Sequence, residues 1–77
     1  MGYVWFWGEK CPVCHQLAWV PERLGARTYC VDEPEGLAEA AFRDVRATPT
    51  LIEVDEEDEE VRRWVGEDVL RSVSDES

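Results

Sequence analysis

"WGEKCPVCHQ", residues 7–16, is the stretch on which the reading of the whole chain turns. It holds Cys11 and Cys14, separated by Pro12 and Val13, and His15 follows at once. Three chemistries use such a pair. A zinc site needs four ligands, yet beyond the pair only Cys30 and His15 remain, and His15 is awkwardly adjacent to Cys14. Haem attachment needs C-x-x-C-H, which residues 11–15 satisfy literally, but the iron usually takes a second axial ligand, and the chain has one His and one Met. A redox dithiol needs a thiolate at a helix start, directly after a strand.

The flanks supply that third setting. Residues 3–7 ("YVWFW") are short, continuously apolar and aromatic, and Gly8 ends them, as in a strand buried on both faces. Downstream, Val13, Leu17, Val20 and Leu24 fall at helical spacings. Gly25 is a helix stop, and Pro21 is expected to kink the helix where it stands. Cys11 then lies where free N–H groups and the helix dipole favour an anion. Lys10 adds a positive charge, and both favour the nucleophilic thiolate. Cys14, one turn on, lies deeper and can attack a mixed disulfide on Cys11.

The remaining residues alternate between strand and helix. Residues 27–32 ("RTYCVD") are β-branched and aromatic, hence a second strand. Pro34 suits a first helical turn, and Leu37, Ala38, Ala41, Phe42 and Val45 give that helix an apolar face. Residues 50–54 ("TLIEV") form a third strand, the acidic run 55–60 a solvated turn, and 61–65 a fourth strand, with Arg62 and Arg63 available to offset the acids. Gly66 punctuates, residues 67–73 form a last helix with acids in its first turn, and the final "SDES" is expected to fray. The order is β-α-β-α-β-β-α. One domain over residues 1–77 follows: an α/β fold with a four-stranded mixed sheet and helices on both faces.

Charge and size exclude several functions. The 77 residues are 44% apolar, with 18 acidic residues against 8 basic ones and a net charge of −10. Such a surface repels nucleic acid and anionic lipid, so neither is an expected partner. Lys10 is the only lysine beside seven arginines; this fits a salt-adapted or GC-rich source, or simply a solubilising surface. No apolar run approaches the roughly 18 residues of a membrane span, and the N-terminal apolar stretch is too short for a signal peptide. A cytoplasmic location is expected, where cysteines serve catalysis or metal more than structural disulfides.

At these residues the chain resembles the thioredoxin-like superfamily, at the size of a glutaredoxin. Phe6, Trp7, Glu9, Cys11 and Cys14 match the thioredoxin active-site stretch, while Pro12 is similar to the glutaredoxin pair. "VRATPT", residues 45–50, resembles the thioredoxin segment whose proline is cis and faces the active site, which makes Pro49 that proline and predicts a cis Thr48–Pro49 bond. The segment from Gly66 to Leu70 weakly resembles the start of the last glutaredoxin helix, where an Asp, here Asp68, helps hold glutathione. The sequence departs from these patterns at Trp5, where thioredoxins usually have Asp, at Lys10, where they have Trp, and at Gly8 and Ala47, where glutaredoxins have Lys and Thr.

The resemblance implies a thiol–disulfide oxidoreductase that reduces protein disulfides without a bound cofactor or metal. Cys11 and Cys14 would be catalytic; Lys10, Pro12, Thr48, Pro49 and Asp68 would bind substrate. Its expected partners are a disulfide-bearing protein, with ribonucleotide reductase one candidate, and a reductase or small thiol as electron donor. A monomer is expected. The rival reading is a non-catalytic module of the same fold that binds zinc or a protein partner. Cys30 on its strand reads as a small buried hydrophobe, His15 as an exposed surface residue, Trp19 as packing and Trp64 as a cross-strand packing residue.

Overall fold

A computed structural model describes residues 2–76, with side chains through residue 73. Strand β1 (Gly2–Trp7) leads through the cysteine loop into α1 (Pro12–Gln16) and α2 (Trp19–Leu24), followed by β2 (Arg27–Cys30) and α3 (Pro34–Phe42). Strands β3 (Thr50–Val54) and β4 (Glu60–Val65), a 3-10 turn (Gly66–Asp68) and α4 (Val69–Glu76) complete it. The sheet order is β2-β1-β3-β4. β1 and β2 run parallel; β1–β3 and β3–β4 are antiparallel. This is the expected mixed sheet.

Alternation along β1 builds both sides of the core, because successive side chains point to opposite faces. Val4 and Phe6 meet Ala40 of α3, with Ile52 and Val54. Trp5 meets Leu17 and Val20 under α1 and α2, with Leu51 and with Val69 of α4. Helices therefore cover both faces. Full burial of each large side chain is worth about 1.5–3 kcal/mol, which explains why the aromatic run lies in a central strand.

Pro21 breaks the first helix a turn earlier than expected. The chain leaves helical geometry at Leu17, with φ −104° and ψ 14°, and resumes at Trp19. Proline has no N–H for the carbonyl four residues back, and its ring crowds that carbonyl. The Leu17 carbonyl instead accepts the Val20 N–H at 3.0 Å. Gly25 closes α2 in the left-handed region, φ 64°, as its position predicts. Trp19, expected to pack, is 43% exposed, since the break turns it outward.

The buried side of α3 is also not the expected one. Gly36 and Ala40 face the sheet, while Leu37 is 60% and Phe42 81% exposed. The helix sits too close to the end of β2 for a large residue: a Cβ on Gly36 would lie 2.6 Å from the Cys30 carbonyl carbon. Strand β2 stops at Cys30, two residues short of expectation, and β4 begins one residue early. The last helix is preceded by the 3-10 turn, and α4 continues through Glu76 where fraying was expected; Ser77 lies outside the described residues.

The acidic turn is more structured than a solvated run. Asp55 accepts the Glu57 and Glu59 N–H groups at 2.8 and 3.0 Å. Asp58, at φ 65°, bridges Arg27 of β2 (2.6 Å) and Arg43 at the end of α3 (2.8 Å). Partial desolvation raises the Asp58 carboxyl, but the two arginines outweigh it and hold it below the ordinary range. The hydrogen bond from Arg63 likewise lowers Glu60. Arg63 also donates to the carbonyls of Arg43 and Asp44, at 2.7 and 3.1 Å. Of the two arginines expected to serve the turn, Arg62 instead pairs with buried Glu53 at 2.9 Å and lies over Trp64, 5.3 Å from its centroid. Trp64 packs opposite Leu51, as expected of a cross-strand residue.

Candidate active site

Cys11 is the N-cap of α1, and Pro12, exposed, occupies the first helical position, where a missing N–H costs nothing. The sulfurs of Cys11 and Cys14 are paired as a disulfide, with Cα atoms 5.2 Å apart. The Cys14 N–H donates to the Cys11 sulfur at 3.1 Å. Cys14 is only 2% exposed, whereas Cys11 is half-buried. One sulfur thus faces out at a backbone donor, and the other sits behind it.

The loop before β3 forms the opposite wall. The Thr48–Pro49 bond is cis, as the resemblance predicted. The Thr48 carbonyl oxygen lies 3.7 Å from the Cys11 sulfur. The Pro49 carbonyl accepts the Gly66 N–H at 2.8 Å, which fastens this loop to the 3-10 turn. Gly8, Lys10, Cys11, Val31, Asp32 and Thr48 line an open groove of about 350 Å³. Asp68 is not among those residues. It is exposed, 3.9 Å from Arg71, although its 3-10 turn packs against α1.

Two residues with no assigned role from the sequence belong to this site. Asp32, just past β2, accepts the Glu9 N–H at 2.7 Å and the weaker thiol of Cys30 at 3.8 Å. His15 is exposed, as expected, but its Nε2 lies 2.7 Å from the Glu9 carbonyl oxygen. No spacing rule links residues 9 and 32, so only the parallel pairing of β1 with β2 could have revealed the contact. Cys30 is buried and unpaired with another cysteine, in keeping with the reading as a small hydrophobe.

Behind Cys14 the helix break opens a second cavity of about 460 Å³, with Trp5, Trp7, His15, Glu22 and Thr28 on its walls. Trp5 fills the place where the resemblance would put a carboxylate. Among the described residues no three His, Cys, Asp or Glu side chains are grouped to hold a metal ion. Likewise no helix is long and apolar enough to cross a membrane.

A strand, loop and helix that bring a C-x-x-C pair beside a cis-proline loop, on a β2-β1-β3-β4 sheet, make the thioredoxin fold. The comparisons agree. The chain is similar to thioredoxin from Malassezia sympodialis, with a TM-score of 0.77 and 22% identity over 95% of this chain and 69% of that one. Fasciola hepatica thioredoxin gives 0.71 and 28%, covering 96% and 77%. Thioredoxin 1 from Thermosipho africanus gives 0.66 and 19%, covering 99% and 98%. No protein-family model and no curated protein matches the sequence.

Proposed function

We propose that the chain is a thiol–disulfide oxidoreductase that reduces disulfides of other proteins. The observation that carries this reading is the asymmetry of the pair: the half-buried Cys11 sulfur receives the Cys14 N–H, while Cys14 is buried. In the reduced protein, that N–H stabilises a Cys11 thiolate. The thiolate attacks one sulfur of the substrate disulfide, forming a mixed disulfide and expelling the other sulfur as a thiolate, which takes up a proton. Cys14 then loses its proton and attacks the Cys11 sulfur. The substrate leaves as a dithiol, and the Cys11–Cys14 disulfide holds the oxidation. An external donor returns two electrons.

Lys10 supports the thiolate from the groove wall, and the Thr48–Pro49 loop, together with exposed Pro12 next to Cys11 in sequence, guides an extended substrate segment to Cys11. The donor is a reductase protein or a small thiol other than glutathione. Gly8 offers no cation for a glycine carboxylate, and the net charge of −10 opposes an anionic tripeptide. Asp68 could meet a glutamyl amine, but one lost charged hydrogen bond costs roughly 1.5–3 kcal/mol, about ten- to a hundredfold in affinity. Ribonucleotide reductase is a candidate acceptor, and a cytoplasmic monomer is the expected form.

Substitution tests the pair directly. With a model protein disulfide, Cys11→Ser abolishes reduction and Cys14→Ser accumulates a mixed disulfide on Cys11, read by mass. A Cys14→Ser protein that turns over normally, or traps substrate on Cys30, refutes the assignment.

A further inference from the structure

The backbone of Glu9, two residues before Cys11, is held on both of its flanking peptide units. Asp32 takes its N–H at 2.7 Å, and His15 reaches its carbonyl at 2.7 Å. A carbonyl oxygen can only accept, so the proton of this bond resides on His15 Nε2. The two side chains come from different places, one on the connection after β2 and the other on α1. Among the described residues, the loop they grip is otherwise tied by one long backbone bond, Cys11 N–H to the Gly8 carbonyl at 3.3 Å.

We propose that His15 and Asp32 are positioning residues that clamp the Glu9 backbone and thereby keep the Cys11 sulfur at the N-cap of α1. This rests on the oxidoreductase reading for its use in catalysis, but not for its geometry. The Cys11 sulfur meets the Cys14 N–H only while residues 8–11 keep their path. Releasing either side of the clamp lets the loop shift, and the thiolate spends less time on its donor. The thiolate, not the thiol, is the nucleophile, so Cys11 reactivity at neutral pH reports the clamp.

The experiment is the alkylation rate of Cys11 in the reduced protein by iodoacetamide at pH 7, with the modified residue identified by peptide mass. Comparisons are made between variants of equal charge. His15→Gln keeps an N–H donor of similar reach, and His15→Ala does not. Asp32→Asn keeps an acceptor, and Asp32→Ala does not. A net hydrogen bond is worth about 0.5–1.5 kcal/mol. We therefore expect each conservative variant to react about two- to twelvefold faster at Cys11 than its alanine counterpart. The double alanine variant should be no slower than the slower single one, because both side chains hold the same residue of one short loop. Equal rates for His15→Gln and His15→Ala, or independent effects in the double variant, overturn the clamp. His15 and Asp32 are exposed, and a urea melt of each variant verifies that the fold is kept. Alkylation needs no turnover. A wild-type protein that reduces no protein disulfide would sink the proposed function and leave this test intact.

Discussion

Gly36→Ala exchanges a helix-breaking residue for the best helix former, yet it should destabilise the protein. An isolated helix would gain about 1 kcal/mol from this change. Here the new methyl meets the backbone of β2, 2.6 Å from the Cys30 carbonyl carbon and 3.0 Å from its nitrogen. Backbone cannot rotate aside. Restoring an ordinary contact moves α3 off the sheet by roughly 1 Å, and such a gap forfeits a quarter to a half of each dispersion contact it opens. The contacts at risk are those of Ala40 with Val4, Phe6 and Ile52. Overpacking costs about 1–3 kcal/mol and opening the interface adds to it, so the net loss after the helical gain is about 2 kcal/mol. A 77-residue domain holds only about 4–12 kcal/mol in total. With a urea slope near 1 kcal/mol/M, the midpoint should fall by about 2 M. Equilibrium urea unfolding followed by circular dichroism measures it. A midpoint equal to or above wild type would show that α3 is not held against β2 as described.

Three further outcomes test other parts of the molecule. Asp58 and Glu60 have folded-state carboxyls lowered from ordinary values of 3.8 and 4.5, so their contribution is complete above the unfolded values and is lost as pH falls through the folded ones; urea midpoints should drop below about pH 4, and Asp58→Asn should flatten that drop, whereas an unchanged slope refutes the bridge. Stability should rise from dilute buffer to molar salt, because a net charge of −10 repels itself when unscreened; melts that fail to shift would remove that explanation. Phe42→Ser, at a residue 81% exposed, should change stability by no more than about 0.5 kcal/mol, and a larger loss in the same melts would contradict its position.

The strands were legible because burial on both faces leaves an unmistakable run, as in residues 3–7, and because β-branched and aromatic residues mark 27–32 and β-branched ones 50–54. The C-x-x-C pair was legible because it answers a local requirement, and the cis bond at Pro49 because residues 45–50 resemble the thioredoxin segment. What failed was periodic reasoning over short helices. In α3 the apolar residues Leu37 and Phe42 point outward, since the approach to β2 admits only Gly36 and Ala40. Pro21 does disrupt the helix, but the steric conflict falls on the carbonyl four residues earlier, so the break appears at Leu17. The Glu9 contact with Asp32, and the Asp58 bridge between Arg27 and Arg43, join residues distant in sequence and exist only once the strands are in register.

The break at Leu17 divides labour between two short segments. Five-residue α1, capped by Cys11, carries Pro12, Cys14 and His15, while α2 contributes Val20 and Pro21 to the interior. A continuous helix would couple these duties, since any residue that rotated or lengthened the first turns would drag the packing face with it. With the two uncoupled, residues 12, 15 and 16, all exposed, behave as a cassette seated in a fixed socket. Libraries that vary only these positions can therefore retune the reactivity of the pair, while selection for a folded core acts on a separate set of residues.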